Sequence, residues 1–76
     1  MKARSAAQVL AKINHPNLKL FRGAGYWYFV YDDEVKNIFD ELVVNVMYLN
    51  SMNLDQWVAD GKFLIARVEK SMEDQA

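Results

Sequence analysis

Few side chains in this chain could carry out catalysis. It has no cysteine, and His15, beside Pro16, is its only histidine. Nucleophilic catalysis needs a nucleophile, a base and a group that orients the base. A histidine at a helix end more often interacts with the last carbonyl groups of the helix. Because Ser5, Ser51 and Ser71 fit helix caps, turns or a tail, we expect no catalytic residues and no enzyme activity.

A cluster of carboxylates could in principle bind a metal ion: Asp32, Asp33, Glu34, Asp40 and Glu41. Mg²⁺ prefers carboxylate oxygens together with water, and residues 34–36 match part of an acid-x-Lys nuclease pattern. Adjacent carboxylates at the end of a strand more often solvate a turn, so we expect no metal and no other cofactor. A metal-dependent enzyme that uses the 32–41 loop stays open as a minor alternative.

The charges are unevenly distributed, although the net charge is only -1. Residues 1–30 carry five cations and no acid, whereas residues 31–60 carry seven acids and one lysine. Such asymmetry suits a basic patch for nucleic acid or an acidic patch for a basic partner. The simpler interpretation is that the two regions are neighbours in the fold and attract each other.

The size and composition favour a single small domain that associates with itself. The chain has 76 residues, 53% of them apolar and ten of them aromatic. A domain of this size buries a modest share of its surface, and without cysteine it has no disulfide to stabilise it. A homodimer would enlarge the core. No segment approaches the ~20 apolar residues of a membrane span, and no apolar stretch follows the charged start, so we expect a cytoplasmic protein without a signal peptide.

Residues 5–14 are predicted to form the first helix. Ser5 and Gln8 match a capping box, and apolar side chains follow at helical spacing. Asn14 tolerates the left-handed conformation that ends many helices, and Pro16 disfavours helix at the residue before it.

Two strands are predicted next, at residues 18–22 and 26–31. The first alternates apolar and polar side chains, and the second has the highest strand propensity in the chain because it is aromatic and β-branched. Gly23 and Gly25 between them lack the other residues of a phosphate-binding loop. They predict a turn with positive φ, so the two strands form a hairpin.

Residues 33–49 admit two interpretations. Apolar side chains recur at helical spacing through the segment, but residues 43–48 are rich in β-branched types. A two-stranded hairpin is marginal in isolation and needs a third strand. We therefore predict a loop at 33–41 and a strand at 42–49, with a middle helix as the alternative.

The C-terminal part is predicted to form one long helix at 53–70. Asn53 is a suitable N-cap, with Gln56 three residues later. Gly61 costs roughly 1 kcal/mol relative to alanine inside a helix, so it indicates a close approach to the sheet or to another helix, or a kink. The polar residues 71–76 are expected to fray. The chain, 1–76, is thus predicted to be one α+β domain in the order α-β-β-β-α, a three-stranded antiparallel sheet with both helices on one face.

Three sequence segments resemble a group of short proteins encoded by bacteriophages and prophages: GYWYFVYDD at 25–33, VMYLN at 46–50 and LDQWV at 54–58. In that group a G-Y-W-Y-F-V-Y-D-D block is followed by a short strand and an L-x-x-W-V helix start. The resemblance covers roughly residues 18–62. It carries no assigned activity and so no functional residues. It implies a strand at 42–49, a phage-derived origin and action inside a bacterial host cell.

The aromatic strand provides the candidate binding residues. Side chains of a strand alternate between its faces, and we expect Trp27 and Phe29 to be core. The residues expected to be exposed and to bind a partner are Tyr26, Tyr28 and Tyr31, with Lys19 and Arg22 on the neighbouring strand. Exposed tyrosines suit a protein interface, and they also suit the stacking of nucleic-acid bases.

The sequence therefore predicts a non-enzymatic protein-interaction module that binds a protein partner, such as a bacterial host protein, or a second copy of itself. The alternative is a nucleic-acid-binding accessory protein that uses Lys19, Arg22 and the tyrosines. Nucleic acid is the less favoured partner, because the chain is slightly acidic overall and acids follow directly after the aromatic strand.

Overall fold

A computed structural model describes residues 1–75 of the chain. The elements are helix α1 (Ala6–Ile13), strands β1 (Leu18–Arg22), β2 (Trp27–Asp33) and β3 (Ile38–Val44), a 3-10 turn (Leu49–Ser51) and helix α2 (Leu54–Gln75). The predicted order α-β-β-β-α is confirmed. Residues 71–75, which were expected to fray, continue α2, and Ala76 lies outside the described residues.

The three strands form one antiparallel sheet in the order β1-β2-β3. Its central row pairs Leu20 with Phe29 and Phe29 with Leu42. Helix α1 packs on β1 and on α2, and α2 packs on β2 and β3. Both helices cover the same face of the sheet, as predicted, and the core between them is centred on the fully buried Phe29, Trp57 and Leu64.

The ends of α1 follow the local signals in the sequence. The Gln8 amide N–H donates to Ser5 Oγ (3.0 Å), and Asn14 adopts φ 57° while its N–H donates to the Leu10 carbonyl (2.8 Å). The capping box differs in one respect. The Gln8 side-chain oxygen accepts from the Arg4 amide (2.7 Å) and not from the Ser5 amide, so the residues before the helix are held by its first turn.

The third strand does not lie where it was predicted. It spans Ile38–Val44, whereas the prediction was a loop at 33–41 and a strand at 42–49; the alternative middle helix is also not observed. Strand β2 continues to Asp33, and residues 34–37 form the turn. The Asp33 carboxylate accepts from the Lys36 amide (3.1 Å), and Asn37 takes a left-handed φ of 54°. These two polar residues close the hairpin earlier than the apolar pattern indicates.

Two tryptophan indoles fix the chain after β3. The Trp27 Nε1–H donates to the Met47 carbonyl (3.3 Å), and the Trp57 Nε1–H donates to the Leu49 carbonyl (2.7 Å). The Trp57 ring also meets the Trp27 and Phe29 rings edge to face, at centroid distances of 6.0 and 6.1 Å. Because residues 45–49 satisfy side-chain donors of the core, they do not extend the ladder of β3.

Gly61 is a point at which α2 comes close to both α1 and the sheet. A Cβ atom at this position would collide with the Ile13 Cδ1 atom of α1, and it would lie 3.2 Å from Phe29 Cε1 and 3.3 Å from Leu18 Cδ2. Helix α2 runs through Gly61 without interruption. The glycine therefore serves close approach to both the other helix and the sheet, and not a break in the helix.

The substitution Gly61→Ala should destabilise the protein by about 1–3 kcal/mol, because the overlap with Ile13 in a packed core exceeds the gain in helix propensity. Urea unfolding of Gly61→Ala and of Gly61→Ala combined with Ile13→Val measures this, and the second variant should recover part of the loss. The opposite result, a stabilised Gly61→Ala, would mean that α2 does not contact α1 at this residue.

Candidate functional site

The face of the sheet opposite the helices is covered by no other part of the chain within residues 1–75. We call it the open sheet face, and it is defined by these side chains: Lys19, Phe21, Tyr26, Tyr28, Val30, Asp32, Phe39, Glu41 and Val43. Three of its apolar members are well exposed: Phe39 is 65%, Val43 50% and Phe21 43% accessible to solvent. A contiguous apolar surface of this kind marks a site of association more often than singly scattered apolar residues do.

Aromatic side chains stiffen one end of the open sheet face. The Tyr28 ring lies 5.6 Å from the Phe21 ring and 6.0 Å from the Tyr26 ring, measured between centroids. The Tyr26 ring rests on Gly23, where a Cβ atom would collide with it. Gly25 supplies the positive φ of 79° that the turn before β2 requires. The tight turn therefore places Tyr26 beside the strand and in line with Tyr28.

The middle of the open sheet face carries one charge of each sign. Lys19 on β1 pairs with Val30 on β2, and Val30 pairs with Glu41 on β3, so the three side chains form one row across the sheet. Neighbouring strands lie about 4.8 Å apart, so the two charges sit roughly 10 Å from each other. Val30 between them is only 7% exposed because the side chains around it shield it.

Of the five partner-binding residues predicted from the sequence, three lie on the open sheet face: Tyr26, Tyr28 and Lys19. Tyr31 was expected to be exposed, and this is wrong: it is 3% exposed and belongs to the core. Its side chain points to the helix face, as those of Trp27 and Phe29 do, because the three residues are two positions apart on one strand.

Arg22 is exposed but lies on the helix side of the sheet. It borders a cavity with Trp27 and Ala3, whereas Lys19 borders the open face with Tyr28 and Val30. The two cations are three positions apart on β1, so they point to opposite faces. The predicted grouping of Arg22 with Lys19 and the tyrosines is therefore not observed.

Sequence reasoning missed six residues of this surface: Phe21, Val30, Asp32, Phe39, Glu41 and Val43. Three of them lie on β3. Phe39 and Glu41 were missed because residues 33–41 were predicted to be a loop, and Val43 because the two faces of the predicted third strand were not assigned. Alternation from Phe39 to Val43, with Asp40 and Leu42 turned toward the helices, is the signal that could have found them. Phe21 could have been found from its position, two residues after Lys19 on the same strand.

His15 is used locally. Its Nδ1 atom accepts a hydrogen bond from the Asn17 amide (3.2 Å), and its ring lies 5.2 Å from the Tyr31 ring. It therefore orders the connection between α1 and β1, and not the last carbonyls of the helix as expected.

The acidic residues are distributed over the hairpin and do not converge. Asp33 accepts from the Asn17 side-chain amide (3.4 Å) as well as from the Lys36 amide, and Asp40 forms an ion pair with Arg67 of α2 (3.0 Å). Arg67 also donates to the Glu41 carbonyl (2.8 Å). Within the described residues, no three side chains of His, Cys, Asp or Glu are close enough together to hold a metal ion.

Comparisons with known proteins returned nothing: no family model, curated protein or solved structure matches this chain. Separately, none of the helices formed by residues 1–75 is both long and apolar enough to cross a lipid bilayer.

One carboxyl group beside β3, that of Asp60, has a raised pKa. Burial raises the pKa of Asp60 on α2 above its ordinary value of 3.8, because a partly desolvated carboxyl group resists ionisation. It lies beside Val44, Asn45 and Phe63, at the edge where α2 meets β3. The folded state therefore binds this proton more tightly than the unfolded state does.

We expect the stability that Asp60 contributes to be present at acidic pH and to be lost as the pH rises from about 4 through the raised pKa of the folded state. Asp60→Asn should accordingly be more stable than the wild type at neutral pH, with a difference that shrinks toward low pH. Thermal unfolding of both proteins at a series of pH values measures it. If the stability difference between Asp60→Asn and the wild type did not depend on pH, the Asp60 carboxyl group would be fully hydrated in the folded state.

Proposed function

We propose that this chain is a non-enzymatic protein-interaction module, and that it associates with a second copy of itself through the open sheet face. The observation that carries the proposal is the exposed apolar surface on one side of a sheet whose other side packs against the two helices. A sheet face of this kind can be covered by another sheet, as in two-layer β structures, in which the mean strand directions stay within about 30°.

The row formed by Lys19, Val30 and Glu41 on the open sheet face is complementary to itself in charge. In a dimer with a two-fold axis parallel to the strands, β1 of each copy lies over β3 of the other. Lys19 of one copy then faces Glu41 of its partner, and the contact occurs twice, as an isologous interface requires. An axis perpendicular to the strands through this row would instead bring Lys19 against Lys19 and Glu41 against Glu41. The first arrangement brings only Asp32, near the end of β2, against its own copy, so the charges favour it.

The size of the face sets the expected strength of association. Three strands of up to seven residues span roughly 14 by 23 Å, which is smaller than the ~800 Å² that each partner buries in a standard stable interface. Side chains that interdigitate enlarge the contact only moderately. We therefore expect a dimer with a dissociation constant on the order of micromolar.

Exchanging the two charges tests this self-complementarity. Lys19→Glu should weaken the dimer roughly tenfold, because two ion pairs become two repulsive contacts. The double exchange Lys19→Glu with Glu41→Lys should restore it, since the charges again oppose each other. Sedimentation equilibrium over a concentration series measures both variants.

A dimer that is weakened equally by the single and the double variant would remove the proposed two-fold arrangement. A wild type that stays monomeric at millimolar concentration would remove self-association altogether. In that case the open sheet face would need a different protein as its occupant, such as the bacterial host protein suggested by the resemblance to phage-encoded proteins.

Two phenylalanines of similar exposure provide a matched pair of variants that tests how much apolar contacts contribute to dimerisation. Phe39 on the open sheet face is 65% exposed, and Phe63 on α2 is 60% exposed. Phe39→Ser should reduce dimerisation by about tenfold or more because it removes the most exposed of the large apolar side chains of this face, whereas Phe63→Ser should leave it unchanged. Both proteins should unfold within about 1 kcal/mol of the wild type, since neither side chain is core. If Phe39→Ser and Phe63→Ser weakened dimerisation equally, the open sheet face would not be the dimer interface.

No observation favours a metal-dependent enzyme, because Asp33 and Asp40 are already bound by groups of this chain. The nucleic-acid alternative, in the form that combines Lys19, Arg22 and the tyrosines, is not favoured either, because the two cations lie on opposite faces of β1.

A further inference from the structure

A second surface lies on the helix side of the sheet, where the first residues of the chain meet the end of β1. It is a cavity of about 610 Å³, in the size range of small-ligand sites. The residues that line it are Lys2, Ala3, Arg4, Ser5, Ala6, Arg22, Trp27, Tyr48, Leu49 and Asn50. We call it the basic cavity, because three of these residues are cations and none is an acid.

The cations of the basic cavity come from two separate segments that the fold brings together. The backbone of Lys2 forms an isolated antiparallel β-bridge with Asn53, and the Leu54 amide donates to the Met1 carbonyl (2.7 Å). The Arg4 amide donates to the Gln8 side chain (2.7 Å). These contacts hold the first segment against both helices, and Arg22 reaches the same cavity from the end of β1.

The charges in the basic cavity are not neutralised by this chain. Among residues 1–75 the one ion pair within 4 Å joins Arg67 to Asp40, at the other end of the sheet. Lys2, Arg4 and Arg22 therefore repel one another with no carboxylate between them. Arginine offers a planar fork of donors that matches phosphate oxygens, and lysine adds a point charge.

Aromatic groups complete the basic cavity. Tyr48 is 58% exposed, so its ring is available as a platform. Trp27 is half-buried, and its indole is fixed by the hydrogen bond to Met47 and by the contact with Trp57. Stacking on such rings binds the planar bases of nucleic acids without regard to sequence, while Asn50 supplies amide donors and acceptors nearby.

We propose that the basic cavity binds a nucleotide unit, with the phosphate held by Arg4, Arg22 and Lys2 and the base stacked on Tyr48. A free nucleotide and one unit of a single-stranded nucleic acid share this chemistry. The site belongs to one chain and lies on the side of the sheet opposite the open face, so it is independent of the proposed dimer.

The experiment is fluorescence anisotropy of a labelled short oligothymidylate titrated with the whole chain, with unlabelled adenosine monophosphate as competitor. One phosphate held by the site predicts a loss of affinity of only about two- to threefold between about 50 and about 200 mM salt. Competition by the monophosphate at comparable affinity identifies a free nucleotide as sufficient. Binding of the oligonucleotide without competition identifies the single strand as the source.

Two charge reversals on the same strand separate this site from general electrostatic attraction. Arg22→Glu should weaken oligonucleotide binding by about tenfold or more, because it removes a charge-assisted contact, whereas Lys19→Glu should leave it within about twofold. Tyr48→Ser should weaken it without changing the salt dependence. Circular dichroism during thermal unfolding verifies that each variant is folded.

Two results would overturn the proposal. One is equal weakening by Arg22→Glu and Lys19→Glu, which would show attraction to the net charge of the N-terminal half and no defined cavity. The other is an anisotropy that does not change at low salt up to millimolar protein.

Discussion

The close approach of α2 to the sheet at Gly61 is the constraint on which the architecture depends. Because this residue has no side chain, Ile13 of α1, Leu18 of β1 and Phe29 of β2 all reach the helix backbone at one place. Helix α2 can then pack close to β2 and β3, and α1 packs against β1. A larger residue would lift α2 and open the core around Phe29, whose ring is fully buried.

The two helices bury one face of the sheet and leave the other face exposed. With only two helices, and both on the same side, a three-stranded sheet must present its second face to solvent or to a partner. The chain places large apolar groups there, and it places Lys19 and Glu41 at either side of Val30. Their order across the strands is the basis of the proposed association with a second copy.

Strand β1 separates two surfaces of different character. Lys19 belongs to an apolar face with charges of both signs, and Arg22, three residues later, belongs to a cavity with cations alone. The uneven charge of the sequence is thus only partly relieved inside the fold. Arg67 joins Asp40 of the acidic half from the C-terminal helix, and the cations near the N-terminus are left facing the cavity.

The sequence by itself determined the elements whose signals are local. The start of α1 follows from Ser5 and its end from Asn14, β1 from alternation, and the strand at Trp27 and Phe29 from its aromatic and β-branched residues; of these two, Phe29 is buried and Trp27 is half-buried. Each depends on interactions within a few residues, so neighbouring residue types are sufficient to specify it. The same alternation places Tyr31 with Trp27 in the core, so its burial was readable from the sequence although it was expected to be exposed.

Only the tertiary structure decided where β3 ends, and which cations share a surface. The apolar pattern of residues 33–49 fits either a helix or a strand, and β3 stops at Val44, where hydrogen bonds from Trp27 and Trp57 reach the residues that follow it. Likewise Lys2 and Arg22 line the same cavity because Lys2 pairs with Asn53, just before α2. Contacts between segments far apart in the chain leave no pattern in either segment alone, and for that reason the fold had to be seen before these surfaces could be defined.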